Sequence, residues 1–176
     1  LYALKDINAR IRIGSLEVNV ITKEFLEKIK EISNLCPHFH LSMQSGSNSI
    51  LKKMNRHYTK EIYLEKCNLL REYFPNCNIT TDVIVGFSDE SEDEFLETIE
   101  TIKKAKFGNI HIFPYSPRRG TVAYKFKNIT NDERHKRVRI LEKIKDELKQ
   151  EYINSLKGNY TLLIEEIVGE YVTGYT

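Results

Sequence analysis

The chain of 176 residues lacks the features of a membrane, secreted or disordered protein. Its apolar runs, such as residues 83–85, are far too short to cross a bilayer, and 40% hydrophobic residues exclude disorder. The first residues carry no initiator methionine, charged n-region or apolar h-region, which argues against a signal peptide and predicts a start inside a longer protein. The three cysteines, Cys36, Cys67 and Cys77, cannot all pair and are not clustered, which favours a reducing cytoplasmic location.

The chain also lacks a large excess of either charge, since the formal net charge is only +2. The distribution is less even, because residues 118–157 hold twelve Lys and Arg against six Asp and Glu. A basic segment of this kind suits a polyanionic partner such as nucleic acid. On charge alone, a solvated helix surface is the favoured interpretation.

Apolar periodicity alternates between short β-type runs and longer helical ones, which predicts an α/β fold. We predict four strands, at residues 11–13, 39–43, 79–85 and 109–113. Helices between consecutive strands require crossovers, so the four strands should form a parallel sheet with right-handed connections. A long helix capped by Thr130 should run to Lys157, and a β-rich segment from Tyr160 should begin a small β module.

Ligands gather at the carboxyl ends of parallel strands, and polar residues follow each predicted strand. These polar clusters are residues 15–17, 44–47, 86–89 and 115–120. None of them alone distinguishes a ligand site from a polar turn. Residues 86–90 lack the repeated glycines and the lysine of a phosphate-binding loop.

Two histidines, His38 and His40, lie on the same face of the second predicted strand and could in principle hold a metal ion. No further ligand is evident nearby in the sequence, so we expect a packed or hydrogen-bonded pair and no metal site. The cysteine spacings of 31 and ten residues match neither a zinc nor a cluster motif. No acid–base pair or nucleophile stands out by spacing, so no catalytic residue is assigned.

Blocks of sequence in a consistent order make the chain similar to the radical S-adenosylmethionine methylthiotransferases. The blocks are RIRIGSLE at 10–17, CPHFHLSMQSGSN at 36–48, MNRHYT at 54–59, TDVIVGF at 81–87 and HIFPYSPRRGT at 111–121. Within that family, residues 36–38 and 111–115 look most like the threonylcarbamoyladenosine tRNA methylthiotransferases. The isopentenyladenosine tRNA enzymes and the ribosomal protein S12 enzymes are the alternatives.

The resemblance implies a parent enzyme that uses S-adenosylmethionine and two [4Fe-4S] clusters to methylthiolate N6-threonylcarbamoyladenosine beside the tRNA anticodon. Residues 1–128 would be four βα units, the second half of a TIM-like radical barrel. Residues 129–158 would be a linking helix, and 159–176 the start of a truncated TRAM module, which helps hold RNA. The chain lacks the family's Cys-x-x-x-Cys-x-x-Cys motif and N-terminal cluster domain, so we expect this part alone to be inactive and to bind no cofactor.

The resemblance also assigns cofactor contacts to eight residues at the predicted strand ends. They are Glu17, Gln44, Ser45, Arg56, Val85, Gly86, Phe87 and Tyr115. Glu17 would accept hydrogen bonds from the ribose hydroxyls, Gln44 and Ser45 would meet the methionine moiety, and Arg56 would pair with its carboxylate. The segment 85–87 would pack the adenine, with Gly86 permitting close backbone approach. An exposed salt bridge is the alternative for Arg56.

Arg118 and Arg119 are better suited to tRNA phosphate than to the cofactor. A hypothesis from another class is a non-catalytic RNA-binding module that uses the basic helix and the β-rich tail. The polar residues at four strand ends argue against it.

We also expect self-association as a dimer. Half a barrel leaves two unpaired strand edges, and it leaves barrel-facing side chains without partners, among them Ile11, Ile13, Val83 and Val85. The alternative is that the long helix folds back over the open side of a monomer.

Overall fold

A computed structural model of the protein describes residues 1–175. The strands are β1 (Ser15–Leu16), β2 (His38–Leu41), β3 (Asn78–Val85), β4 (Asn109–Pro114), β5 (Leu163–Val168) and β6 (Tyr171–Tyr175). The α-helices are α1 (Lys23–Lys30), α2 (Asn48–Lys53), α3 (Lys60–Tyr73), α4 (Glu92–Ala105) and α5 (Asn131–Ser155). Short 3-10 turns cover Tyr2–Leu4, Val18–Val20 and Val122–Lys125.

Side-chain caps begin four of the five α-helices. The hydroxyls of Thr22, Thr59 and Thr130 each accept a hydrogen bond from a backbone N–H in the first turn of α1, α3 and α5 respectively. Ser91 and Glu94 form a complete capping box at the start of α4. Each cap satisfies a backbone donor that the helix itself leaves unpaired, which explains why the helices begin at these residues.

The first four strands form one parallel sheet in the order β1-β2-β3-β4. This confirms the predicted α/β fold of four parallel βα units. The first strand differs from the prediction, since only residues 15–16 pair as a strand. Ile11 makes a single parallel bridge to Leu35. Gly14 therefore precedes β1 and does not end it.

The helices α3 and α4 cover one face of the sheet, and the core lies between these helices and the sheet. Val83 and Val85 are fully buried on this helix-covered face, together with Phe39 and Leu41 of β2. Their assignment to the open side of the sheet was wrong, because residues of one strand alternate between faces and the odd-numbered positions of β3 face the helices. The open face instead carries polar side chains of β2, β3 and β4, together with the apolar Ile84 and Phe113 near the strand ends.

The long helix α5 packs against β3 and β4 through Leu141, Ile144 and Leu148. It ends at Ser155 and not at Lys157. Two of the basic residues of segment 118–157, Arg134 and Arg137, are 6% and 4% exposed. These two are therefore unavailable to a polyanion, and only the remaining cations of the segment can provide the predicted basic surface.

The last two strands, β5 and β6, form an antiparallel hairpin of their own. Its apolar side chains are exposed; they include Leu163, Ile167, Tyr171 and Val172. An isolated hairpin buries too little surface to be stable alone in water. Among residues 1–175, no helix combines the length and the apolar character that a membrane span requires.

Candidate functional site

The carboxyl ends of the four parallel strands form one edge of the sheet, and the predicted site residues follow these ends. Glu17 directly follows β1 and is exposed. The loop 42–47 follows β2, the loop 86–91 follows β3, and the loop 115–121 follows β4. The parallel topology therefore brings residues that are about 100 positions apart in sequence to one side of the protein.

Gln44 joins the loop after β2 to the neighbouring strand. Its backbone has a left-handed φ of +66°, its N–H donates to the carbonyl of Asp82 at 2.9 Å, and its carbonyl accepts from the N–H of Ile84 at 2.9 Å. These bonds to β3 on both sides hold Gln44 at the end of the sheet. Its side chain is half-buried.

Ser45 lies on the opposite side of the same loop, against α4. Its side chain is fully buried, its hydroxyl lies 3.2 Å from that of Thr98, and it accepts from the N–H of Ser47 at 3.1 Å. The next residue, Gly46, also packs closely against α4, since a Cβ there would lie only 2.8 Å from the Thr98 Cα. The structure thus places Ser45 where it anchors the loop and apart from the other predicted contacts.

The charges of Arg56 and Glu17 both act on the phenol of Tyr58. Tyr58 donates to the carbonyls of Ser42 and Met43 at 3.1 and 3.0 Å, which ties this group to the loop after β2. Burial raises the pKa of Tyr58 to about 12, while the charge of Arg56 lowers it and that of Glu17 raises it. Two oppositely charged side chains therefore influence this phenol, which is bonded to the loop after β2.

The guanidinium of Arg56 has an unsatisfied donor. Its Nε is buried and makes no hydrogen bond within residues 1–175. A buried donor without a partner costs about 1–3 kcal/mol, so such groups are normally paired. The predicted alternative, an exposed salt bridge, is not formed among the described residues, because no carboxylate pairs with Arg56 there.

The end of β3 and the start of the loop after β4 form the other half of the site. The Tyr115 N–H donates to the Val85 carbonyl at 2.8 Å, and the rings of Phe87 and Tyr115 lie 4.7 Å apart. The side chain of Val85 is fully buried, so only its backbone faces this site.

Gly86 has a left-handed φ of +68°, and a Cβ there would lie 2.5 Å from the Arg134 Cγ. The structure therefore shows another reason for a glycine at this position: the side chain of Arg134 on α5 lies where a Cβ would be.

An apolar cavity of about 470 Å³ opens beside these two rings. Its lining residues are Ile84, Phe87, Phe113, Pro114, Tyr115, Ser116, Arg118, Thr121 and Ala123. A volume of several hundred Å³ with mostly apolar walls is typical of a site for a small organic ligand. Another cavity, of about 510 Å³, lies between the start of α1 and α3 among charged side chains and away from the strand ends.

Arg118 and Arg119 lie in the exposed loop after β4. The Arg118 carbonyl accepts from the hydroxyl of Thr121 at 2.8 Å, which closes the turn around Gly120. The side chain of Arg118 lies at the wall of the apolar cavity, and Arg119 is exposed. The loop thus presents two cations to solvent next to the candidate ligand site.

Buried charges from α5 hold the loop after β3, and sequence reasoning did not find them. Glu90 accepts from the Gly86 N–H at 2.8 Å and from Arg137 Nη1 at 2.7 Å. Arg134 Nε donates to the Gly86 carbonyl at 3.3 Å, and its guanidinium lies 5.9 Å from the Tyr115 ring. The sequence signal was the placement of Arg134 and Arg137 on the same helix face as the buried Leu141.

The cysteines do not form a metal centre. Burial raises the pKa of Cys67 to about 12 and that of Cys77 to about 11, so both remain neutral thiols near neutral pH. Cys36 is half-buried ahead of β2. Iron–sulfur clusters are held by several converging thiolates, and these three residues do not meet that requirement.

Comparisons with known proteins identify the family of this chain. The model of the radical SAM superfamily matches residues 2–102. The threonylcarbamoyladenosine tRNA methylthiotransferase of Bacillus subtilis (strain 168) is 39% identical over 158 residues, which are 89% of this chain and 35% of that protein. The tRNA-2-methylthio-N(6)-dimethylallyladenosine synthase of Thermoanaerobacter pseudethanolicus is 40% identical over 171 residues, which are 95% of this chain and 36% of that protein.

The fold has a counterpart among solved structures. Coproporphyrinogen III oxidase from Escherichia coli, a radical SAM enzyme, superposes with a TM-score of 0.65 over 80% of this chain and 33% of that one. The identity is 16%, so this likeness concerns the fold alone. The chain spans about a third of the length of the curated relatives described above.

Proposed function

Because this chain belongs to the radical SAM superfamily, we propose that it is the cofactor-binding part of a tRNA methylthiotransferase that acts on N6-threonylcarbamoyladenosine next to the anticodon. The names of relatives that are about 40% identical support a methylthiotransferase that acts on modified adenosine in tRNA. They divide between threonylcarbamoyl and dimethylallyl adenosine, so the isopentenylated nucleoside is the second candidate. Modification of tRNA also accords with the proposed cytoplasmic location.

The observation that carries the proposal is the buried, unpaired Nε of Arg56. A guanidinium binds a carboxylate through two parallel hydrogen bonds, and the methionine end of S-adenosylmethionine supplies one. Glu17, which is exposed directly after β1 and whose charge acts on the pKa of Tyr58 as that of Arg56 does, would accept hydrogen bonds from the ribose hydroxyls. The backbone of Gln44 is held against the end of β3, and in this proposal its side chain would meet the methionine moiety.

The adenine would occupy the apolar cavity beside Phe87 and Tyr115. The two rings, 4.7 Å apart and tilted by 59°, give the cavity an aromatic wall against which an adenine could pack. Ser45 would support the loop without contacting the cofactor. When bound, S-adenosylmethionine supplies radical chemistry together with an iron–sulfur cluster, and the residues of this chain bind and orient it.

The clusters themselves do not fit this chain. Cys67 and Cys77 are buried neutral thiols in the core, and the chain carries no cluster motif. We therefore assign both [4Fe-4S] clusters to other parts of the whole protein. The 176-residue chain alone should be inactive and should bind S-adenosylmethionine weakly or not at all, since the methionine end loses its iron anchor.

The tRNA would meet the exposed loop of Arg118 and Arg119 next to the cavity.

The proposed division of the chain is a partial barrel over 1–128, a linking helix over 129–158 and the start of a TRAM module over 159–176. The hypothesis of a non-catalytic RNA-binding module lacks a role for the apolar cavity and for Arg56. Self-association now rests on the free edges of β1 and β4 and on the exposed apolar hairpin, because the open sheet face is polar apart from Ile84 and Phe113 at the cavity.

The test is genetic complementation with the full-length gene in a bacterial strain that lacks tRNA methylthiolation. Mass spectrometry of tRNA nucleosides should then show the methylthio form of threonylcarbamoyladenosine. Restoration of only the isopentenylated product would move the substrate to the second candidate, and no product would refute the activity. R56Q should abolish the product, and R56K should restore little, because lysine keeps the charge but lacks the planar fork.

A further inference from the structure

The open face of the sheet carries a cluster of ligand-type side chains that the proposed function does not use. His40 of β2, Asp82 of β3 and His111 of β4 place one nitrogen or oxygen atom each within 4.8 Å of the other two. Register explains the convergence, because Asp82 pairs with His111, and His40 pairs with Thr80, one pleat before Asp82. The three side chains therefore occupy neighbouring positions on one face.

The distances are close to those of a metal site. His40 Nε2 lies 3.1 Å from Asp82 Oδ2, and the rings of His40 and His111 lie 5.8 Å apart. Metal bonds of about 2.0–2.1 Å in a tetrahedral site put ligand atoms about 3.3 Å apart. The remaining gap can close by rotation of His111, which is exposed and whose ring makes no hydrogen bond within residues 1–175.

Neighbouring hydroxyls orient two of the three groups. Thr80 Oγ1 lies 3.0 Å from His40 Nδ1, the nitrogen that faces away from the cluster. Ser42 donates to Asp82 Oδ2 at 2.9 Å. Outer hydrogen bonds of this kind hold metal-binding imidazoles and carboxylates in place in known sites. The arrangement therefore has both an inner set of ligands and supporting groups around it.

We propose that His40, Asp82 and His111 bind a divalent transition-metal ion of the zinc class, with one coordination position open to solvent. Two imidazole nitrogens favour zinc and its neighbours over magnesium and calcium, which prefer oxygen ligands. Three protein ligands with an open position are typical of sites that hold a water or a substrate group. The alternative is a plain hydrogen bond between His40 and Asp82, with His111 only in ring contact.

This proposal does not depend on the cofactor or on the tRNA. The sequence argued against a metal because Asp82 and His111 lie 42 and 71 positions beyond His40, and only the sheet brings them together. The site also lies next to the candidate cavity, since Ile84 follows Asp82 on the same face and lines that cavity.

The test uses the 176-residue chain after removal of metals with a chelator. Zn²⁺ titration by calorimetry should show one ion per chain, with a Kd of about 1 μM or tighter. Co²⁺ should give the visible bands of a tetrahedral complex with nitrogen and oxygen ligands. The variants H111A and D82N should weaken Zn²⁺ binding at least 100-fold, and S42A, which removes only a supporting bond, about 10-fold.

Matched controls separate this site from general histidine or thiol binding. H57A and H135A remove exposed histidines elsewhere and should leave the affinity unchanged, as should C36S. Far-UV circular dichroism of H111A should match the parent, since that side chain is exposed. Absence of stoichiometric Zn²⁺ binding, equal loss in H57A and H111A, or loss in C36S would each overturn the proposal.

Discussion

Substitution of Arg137 by methionine tests whether a buried ion pair holds the loop after β3. Arg137 Nη1 donates to the Glu90 carboxylate at 2.7 Å and to the Glu90 carbonyl at 3.1 Å. The two side chains are 4% and 1% exposed. In R137M the Glu90 carboxylate stays buried without its counter-charge, and breaking one partner of such a pair costs about 3–5 kcal/mol of unfolding free energy.

The same pair predicts a pH dependence. Burial raises the pKa of Glu90 even in the intact protein, with the Gly86 N–H and Arg137 opposing that rise. Without Arg137 the pKa should rise further. A carboxyl with a raised folded-state pKa favours the native state at low pH and loses that contribution as the pH rises through its pKa. The loss of stability in R137M should therefore be larger at pH 7.5 than at pH 5.

The double variant E90Q/R137M provides the decisive comparison. Glutamine keeps an acceptor for the Gly86 N–H but carries no charge, so the double variant should recover much of the loss and should not depend on pH. The exposed neighbour variant R139M is the control for a helix arginine without this contact. Urea unfolding followed by circular dichroism at both pH values measures all four proteins. Equal losses in R137M and R139M, or a pH-independent loss in R137M, would refute the argument.

Three further predictions concern packing, clusters and assembly. G46A should lose about 1–3 kcal/mol of unfolding free energy in the same assay, because its Cβ would lie 2.8 Å from the Thr98 Cα. The control G14A, whose Cβ would meet no atom within 4 Å, should lose little, and equal losses would contradict this. Anaerobic reconstitution with iron and sulfide should leave the 176-residue chain without a cluster, and about four irons per chain would show the opposite. Sedimentation equilibrium at tens of micromolar should show a dimer through the free strand edges and the apolar hairpin; a single species of 20.7 kDa would exclude it.

Local rules account for most of the elements. The predicted cap of the long helix, Thr130, is confirmed, and α1, α3 and α4 also begin at capping side chains, whereas α2 begins without one. Alternation of strand-type and helix-type apolar runs predicted the parallel sheet, and the structure confirms it. The first strand was misplaced because a two-residue strand carries too little periodicity. Ile11 is buried like a strand residue, but it makes only a single bridge, to Leu35.

The candidate cofactor site was only partly predictable. The resemblance pointed to Arg56, Glu17 and Phe87, and in the structure the charges of Glu17 and Arg56 both act on the pKa of Tyr58. The resemblance could not show that the buried Nε of Arg56 has no hydrogen-bond partner, because that depends on every neighbour in space. Nor could it show that Ser45 faces α4.

By itself, the sequence determined the α/β class, the helix caps and the turns that end the strands, because these depend on neighbours within a few residues. Tertiary structure alone decided which face of β3 is covered, so Val83 and Val85 proved to be core. It also decided that Arg137 is buried against Glu90 instead of facing solvent, and that Asp82 and His111 meet His40. Each of these is a contact between distant segments, set by strand register and helix packing. A local pattern, such as the helix face that Arg137 shares with Leu141, indicates burial but does not identify the partner.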